Sequence, residues 1–293
     1  LPSESTIRRR LALVDADAVD RAVAAWMAVK VGLIGGWRVI AIDGKTMRGA
    51  RLEGGRAALV AALDHATGAV LGQLAVTANS NEIPALRDLI DTMDIIGAVV
   101  SADAMHCQRE SAGHITTAGG HYLLTVKATS PRDQVKDLPC KGRARDQHEP
   151  LTSGAGMIGP VAAPVWVDFP GSTQVLQVGG TRTIKGRQHM EVVYVICSLP
   201  MTHAPPATIT AWIPGHQGIE NKLHWVRDVV FDWGHPLAGR TDTNSDAAAA
   251  QVMATLRNIA ISLNRLAGHT KNTSLLQHHS RDSRHPIELL ALT

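Results

Sequence analysis

The chain has 293 residues, a formal net charge of +3, 45% apolar residues and a mean hydropathy of zero. This composition is typical of a globular protein and excludes an intrinsically disordered chain. No apolar run is long enough to span a bilayer, and the first residues lack the apolar core of a signal peptide, so no membrane partner is expected. Three scattered cysteines argue against a disulfide framework or a zinc site, which favours a reducing, cytoplasmic setting.

The first predicted elements are helical and cover residues 4–30, with a break near Asp15. The chain begins at Leu1 and not at Met, so we expect a preceding segment to be missing. Residues 1–30 are therefore interpreted as the remnant of an N-terminal helical domain.

A short β-branched run from Val39 to Ile42 predicts a buried strand that ends on Asp43, where Gly44 allows a turn. A carboxylate at that point is either a cap of the turn or a metal ligand held on a rigid element. The same pattern recurs where the apolar run before Asp103 ends. This repetition favours the metal ligand.

The order of predicted elements indicates the fold. A hairpin centred on residues 65–68 and a helix capped by Asn81 precede the Asp103 strand, and a helix and a strand over residues 121–126 follow it. Three strands, a helix, a strand, a helix and a strand is the order of a ribonuclease H-like sheet. The first and fourth strands of such a sheet lie side by side, so we predict that Asp43 and Asp103 converge.

Residues 129–204 have a different texture, rich in Pro, Gly and charge, and are interpreted as a β-rich insertion that does not fold independently. Strands are predicted at residues 165–169, 174–178 and 191–197. Residues 149–163 lack periodicity and are predicted to form a loop.

Residues 218–228 predict an amphipathic helix with two stripes. The helix has a buried apolar stripe of Ile219, Leu223, Val226 and Val230, and a neighbouring polar stripe of Glu220, His224 and Arg227. The polar stripe is either an ordinary surface row of paired side chains or a third carboxylate with cations that meet phosphate.

The last predicted helix begins at Asn244 or Ser245 and ends before Gly268. Its apolar stripe is assigned to packing alone and consists of Val252, Leu256, Ile259, Leu263 and Leu266. Residues 269–293 are interpreted as a polar tail.

Several stretches together resemble the ISAs1 family of bacterial insertion-sequence transposases, within the IS4-like DDE group. They are residues 40–46, residues 79–84, Asp103 to Met105 with Gln108, residues 122–124 with Lys127, and residues 218–221 with Leu223 to Trp225 and Asp228. The resemblance covers about residues 1–267. It implies an α/β fold with a ribonuclease H-like mixed sheet, flanking helices and a β-rich insertion before the helix that carries the third acidic residue. The catalytic domain would comprise residues 37–128 and 205–267, and residues 1–30 would belong to a transposase-associated domain.

The resemblance also implies a catalytic triad of metal-binding carboxylates, Asp43, Asp103 and Glu220. The implied cofactor is Mg²⁺, with Mn²⁺ as a substitute, because hard cations prefer oxygen ligands. Two such ions about 3.5–4 Å apart suit an in-line displacement at phosphorus. The candidate DNA phosphate contacts are Lys45, Lys127, His224 and Arg227.

The implied function is that of a DDE transposase, an enzyme that cleaves a DNA strand and then transfers it. Its partners would be double-stranded DNA at the element's ends and at the target, bound by a homo-oligomer assembled on DNA in the bacterial cytoplasm and nucleoid. Two alternatives stay open: a catalytically inactive DNA-binding remnant, and a metal-dependent nuclease without strand transfer. The chain departs from the family at residues 128–130, at residues 148–149, and at residues 214–217, where Arg-x-His-Trp is expected.

Overall fold

The computed structural model describes residues 3–30, 32–52, 55–76, 80–126, 155–162, 169–184, 187–224, 226, 243–269 and 284. The chain forms two compact units, one of residues 1–94 with 217–293 and one of residues 95–216. No helix within the described part of the chain has both the length and the apolar character that crossing a bilayer requires.

The elements follow in chain order. The first are α1 (Glu4–Leu11), α2 (Ala16–Ala28), β1 (Val39–Leu52), β2 (Gly55–Asp64), β3 (Val70–Val76), α3 (Glu82–Asp91) and β4 (Val99–Ala102). Then come a 3₁₀ turn (Ala104–His106), α4 (Arg109–Thr117), β5 (His121–Val126), β6 (Ala155–Ala162), β7 (Gln174–Ile184) and β8 (Arg187–Cys197). The last are α5 (Pro206–Ile219), a π-helix (Glu220–His224) and α6 (Thr243–Leu266).

In the first unit, β1 pairs antiparallel with β2, and β2 pairs antiparallel with β3. The turn between β2 and β3 is held by the buried Asp64, whose Oδ2 accepts hydrogen bonds from the backbone N–H and the hydroxyl of Thr67, at 2.9 and 2.7 Å. Gly68 completes the turn with a φ of +73°, a conformation that other residues rarely adopt. The predicted hairpin at residues 65–68 is confirmed.

The predicted end of β1 at Asp43 is wrong. The strand continues to Leu52, with Asp43 opposite Ala61 and Gly44 opposite Val60 in an unbroken ladder. Pairing with β2 supplies partners for the backbone beyond Asp43, so the chain has no need to turn at Gly44. The ladder is first interrupted between Thr46 and Arg51.

In the second unit, the strand order is β4-β5-β8-β7-β6. The β4–β5 pair is parallel, and the pairs β5–β8, β8–β7 and β7–β6 are antiparallel. Because β8 pairs directly with β5, the predicted insertion extends the sheet that contains β5.

The prediction of a loop over residues 149–163 is wrong for Ala155–Ala162, which forms β6. These residues lack a clear alternation of apolar and polar side chains, and their extended conformation comes from pairing with β7. The strand predicted at residues 165–169 lies outside the described residues except for Phe169.

The fold class is confirmed as α/β, with a mixed sheet and flanking helices. Three strands, α3, β4, α4 and β5 follow one another in the predicted ribonuclease H-like order. The β-rich segment then precedes the helical run that carries Glu220, also as predicted.

The buried face of α6 matches the predicted apolar stripe only in part, because Val252 and Leu263 are buried and the other three members are not. Leu256 is 44% exposed, and Ile259 and Leu266 are only half-buried. The face that points inward carries a row of polar side chains at helical spacing, namely Gln251, Thr255, Asn258 and Ser262, all buried. Polar groups are tolerated there because each has hydrogen-bond partners on neighbouring elements.

The centre of this polar row is Asp20 of α2, which is 6% exposed. Its carboxylate accepts hydrogen bonds from Gln73 Nε2 at 3.1 Å, from Gln251 Nε2 at 2.9 Å and from the hydroxyl of Thr255. Gln73 is held in turn by Asn258 Nδ2 at 2.6 Å. One buried carboxylate of α2 therefore joins this helix to β3 and α6.

We expect Asp20→Ala to lower the free energy of unfolding by about 1–3 kcal/mol, because three buried donors lose their acceptor. Burial raises the pKa of Asp20, against the opposing hydrogen bonds of Thr255, Gln251 and Gln73. A carboxyl whose pKa is higher in the folded state contributes stability below its unfolded pKa and loses it as the pH rises through the folded pKa. The difference in the free energy of unfolding between wild type and Asp20→Ala, measured by urea unfolding, should therefore be larger at pH 4 than at pH 7. A gap that narrows on acidification would contradict this account.

Candidate functional site

The carboxylate of Asp43 lies against a buried histidine. Its Oδ2 is 3.3 Å from Nε2 of His224, whose side chain is fully buried, whereas the Asp43 side chain is 21% exposed. The residues before Asp43 on β1, from Ile40 to Ile42, are completely buried. Because taking a charge out of water is costly, the polar ring beside this carboxylate is the group that can offset its partial burial.

His224 reaches Asp43 because apolar residues within and beside the π-helix enter the core of the first unit. Ile219, Leu223 and Val226 are at most 2% exposed, which confirms this part of the predicted apolar stripe, and Val230 lies outside the described residues. They form one cluster with residues of β1, β2, β3 and α6, namely Ala41, Ala61, Leu63, Val70 and Ile261. Ala41 is two residues before Asp43 and shares its face of the strand, so the π-helix covers the face of β1 that carries Asp43.

Arg265 of α6 fastens this π-helix in place. Its guanidinium donates to the carbonyl oxygen of Lys222 within the π-helix and, at 2.5 Å, to that of Gly68 in the β2–β3 turn. Burial lowers the pKa of Arg265 to about 10, so the side chain stays protonated at neutral pH. π-Helices are short and often occur at functional sites, and their carbonyl groups need such partners.

Glu82 approaches β1 at the residue next to Asp43. A Cβ atom at Gly44 would overlap the carboxylate of Glu82, so only glycine leaves room for that side chain. Burial raises the pKa of Glu82, and the negative charge of Asp43 raises it further. Gly44 therefore serves a close approach of side chains and not the predicted turn.

In the second unit, Asp103 follows the buried strand β4 directly, as predicted. Its side chain is 61% exposed, and its Oδ1 lies 3.3 Å from Nε2 of His216. The other ring nitrogen of His216, Nδ1, lies 3.3 Å from the hydroxyl of Ser101. Asp103 thus also lies beside an imidazole, which α5 supplies.

The remaining predicted site residues fall into two groups. Lys45 is half-buried on β1, two residues beyond Asp43 and on the same face of the strand. Glu220 begins the π-helix, but its side chain lies outside the described residues, as do Lys127 and Arg227 entirely. His224 was predicted to contact phosphate, and the structure places its buried ring against Asp43.

The sequence reasoning did not identify Glu82 or His216 as site residues. Glu82 follows the helix cap Asn81, whose side chain accepts from the backbone N–H of Ile83 at 2.9 Å, so the acid was interpreted as part of a helix start. The signal for His216 was its place in the Arg-x-His-Trp stretch, of which only the histidine is kept.

We expect Glu82→Gln to raise the melting temperature in EDTA at pH 7 by about 1–3 °C, because it removes a buried charge beside Asp43. The positive end of the α3 dipole favours a charge at Glu82, yet the pKa is raised, so burial and Asp43 dominate. At pH 4 the gain should shrink, since wild-type Glu82 is then largely protonated. Asp88→Asn, at an exposed position of the same helix, is the matched control. If both variants raised the melting temperature equally, the change in net charge alone would explain the effect.

The comparisons with known proteins give a consistent family. The model of the transposase DDE domain matches residues 35–257. The Escherichia coli K12 protein named "H repeat-associated putative transposase YhhI" is 30% identical over 248 residues, which is 77% of this chain and 63% of that protein. The protein named "Putative transposase YncI" from Escherichia coli O157:H7 is 36% identical over 130 residues, covering 43% of this chain and 33% of that protein.

A solved structure, the piggyBac transposase synaptic complex with hairpin DNA, gives a TM-score of 0.42 and 10% identity, covering 94% of this chain and 58% of that one. The chain spans 63% of the length of YhhI, less than two thirds. The family match covers most of the chain and contains Asp43, Asp103 and Glu220. The chain therefore belongs to the transposase DDE domain family.

Proposed function

We propose that this protein is a DDE transposase of the ISAs1 type, which cleaves DNA strands and joins them to target DNA with the help of a divalent cation. The observation that carries the proposal is the family match over residues 35–257, which includes two aspartates at structurally distinctive positions. Asp43 lies on a largely buried strand and Asp103 directly follows another. Its partner would be double-stranded DNA, met in the bacterial cytoplasm and nucleoid by a homo-oligomer.

The proposed metal ligands fit a hard divalent cation such as Mg²⁺ or Mn²⁺. Asp43, Asp103 and Glu220 supply carboxylate oxygens, the donors that such ions prefer. Among the described residues, no three His, Cys, Asp or Glu side chains lie close enough together to hold a metal ion. The side chain of Glu220 lies outside the described residues. The chemistry that two bound Mg²⁺ ions supply is stabilisation of the attacking and leaving oxygens at phosphorus.

The protein's own residues would hold and orient the reacting groups. In the first step a water oxygen attacks a phosphorus atom at the end of the element, and the 3′ oxygen of the DNA leaves. In the second step that 3′-hydroxyl attacks a phosphorus atom of the target strand, and the 3′ oxygen of the target strand leaves, so that a new phosphodiester bond joins element and target. Lys45 shares a strand face with Asp43 and is the described candidate for a phosphate contact, with Lys127 and Arg227 as further candidates. His224 is assigned to Asp43 instead, because its ring is buried beside that carboxylate.

We expect Asp43→Asn, Asp103→Asn and Glu220→Gln each to reduce Mg²⁺-dependent cleavage of DNA carrying the element's ends by at least about a hundredfold. Each change removes one ligand charge without opening a cavity, so the fold should be kept. The assay is cleavage of labelled duplexes by purified protein, with circular dichroism to verify folding. Asp94→Asn, outside the proposed triad, is the charge-matched control.

The products of this assay separate the proposed function from its alternatives. Joined products of element and target DNA support a transposase, whereas cleavage without joining supports a metal-dependent nuclease. DNA binding without cleavage by the wild-type chain supports an inactive remnant. A triad variant that cleaves as well as wild type would remove that residue from the proposed site.

The convergence predicted for Asp43, Asp103 and Glu220 has its own measurement. Crystals soaked in Mn²⁺ should give anomalous density with these carboxylates as ligands, and two ions should lie about 3.5–4 Å apart. Carboxylates more than about 10 Å apart, too far to share such a pair of ions, would refute the triad.

A further inference from the structure

His216 has contacts on both sides of its ring. The side chain is 13% exposed, and its Nδ1 and Nε2 atoms lie 3.3 Å from the hydroxyl of Ser101 and from Oδ1 of Asp103, respectively. Ser101 lies within β4 and is 1% exposed. The ring therefore connects a buried hydroxyl to an exposed carboxylate.

The chemistry of these groups sets the direction of the hydrogens. An ionised carboxylate only accepts, so Nε2 of His216 must carry the hydrogen that faces Asp103. In the neutral ring Nδ1 is then an acceptor, and the hydroxyl of Ser101 donates to it. The carboxylate of Asp103 thereby selects the ring form, and the hydroxyl of Ser101, which can donate or accept, holds that ring on its other side.

Asp103 has a clear need for such a partner. Its side chain is 61% exposed and makes no capping hydrogen bond to the 3₁₀ turn that it begins. An exposed carboxylate samples several rotamers, and fixing one of them on metal binding costs conformational entropy. A ring held in advance by a buried hydroxyl reduces that cost.

We propose that His216 is a positioning residue that orients the carboxylate of Asp103 for metal binding. The proposal rests on the proposed function, in which Asp103 is a metal ligand. An ordinary surface pair of histidine and aspartate contributes little, but here the imidazole is fixed on its other side. Partners of this kind orient metal-binding side chains, and their loss typically costs about 10–100-fold in metal affinity.

The same relation occurs independently in the first unit. His224 lies eight residues beyond His216 in the chain, and its Nε2 is 3.3 Å from Oδ2 of Asp43. Each of the two candidate aspartates is therefore accompanied by one imidazole from residues 206–224, where α5 is followed by the π-helix. The arrangement at Asp103 is the more testable one, because His216 reaches the surface.

The first measurement is the Mn²⁺ affinity of the full chain, determined by electron paramagnetic resonance. We expect His216→Phe, which keeps a ring but has no donor, to weaken binding about 10–100-fold. His216→Gln restores an N–H donor and should recover much of the affinity, and Ser101→Ala should give an intermediate loss. His203→Phe, an exposed histidine of the same unit, is the control and should bind as wild type does.

The second measurement needs no metal. Two-dimensional ¹H–¹⁵N spectra of histidine-labelled protein at pH 8.5 report which ring nitrogen carries hydrogen. We expect the Nε2–H form for His216 in wild type and a loss of that preference in Asp103→Ala, which removes the acceptor that faces Nε2. An Nδ1–H form in wild type would overturn the proposal, even if His216→Phe does not fold.

The outcomes separate this proposal from the proposed function. If Asp103→Asn weakens Mn²⁺ binding and His216→Phe does not, then Asp103 stays a ligand and His216 has no positioning role. If His216→Gln and His216→Phe weaken Mn²⁺ binding equally, packing and not the N–H donor is responsible, which also overturns the proposal. If wild type binds no Mn²⁺ more tightly than Asp103→Asn does, the proposed metal site itself is wrong.

Discussion

A carboxylate that directly follows the buried residues Val39–Ile42 of β1 is the constraint on which the first unit depends. Asp43 follows three fully buried residues, where an ionised group is costly unless a polar partner lies close to it. His224 provides that partner at 3.3 Å, although its own side chain has no contact with solvent. For the imidazole to arrive there, Ile219 and Leu223 have to enter the core, and the backbone of the π-helix has to be held by Arg265. Arg265, which lies more than two hundred residues beyond β1 in the chain, thus helps to place the imidazole of His224 beside Asp43.

Asp43 is accompanied by a second carboxylate that was not among the predicted site residues. Glu82 reaches β1 beside Asp43 because Gly44 has no side chain, and burial together with the charge of Asp43 raises the pKa of Glu82. Such a local excess of negative charge is relieved by a bound cation or by a proton. The proposed metal-dependent chemistry and the raised pKa of Glu82 are therefore two consequences of one arrangement.

The polar interior between α2, β3 and α6 has a different purpose, which is to fix how the N-terminal helices are attached. Asp20 accepts from Gln251 and Thr255 of α6 and from Gln73 of β3. A buried carboxylate with several matched donors allows few alternative registers, whereas an apolar interface allows more. Residues 1–30, predicted to be the remnant of a separate domain, are in contact with the core of the first unit through this network.

The sequence by itself determined the order of the elements, the hairpin at residues 65–68, the buried stripe of Ile219, Leu223 and Val226, and the position of Asp103 directly after β4. These features depend on local periodicity, turn chemistry and capping, which a single chain segment displays. Only the tertiary structure decided that β1 continues past Asp43, that Ala155–Ala162 is a strand, that α6 buries a polar row, and that His216 and Glu82 lie beside the candidate acids. The physical reason is that backbone pairing and buried hydrogen bonds join residues far apart in the chain, and the stability of each partner depends on the other.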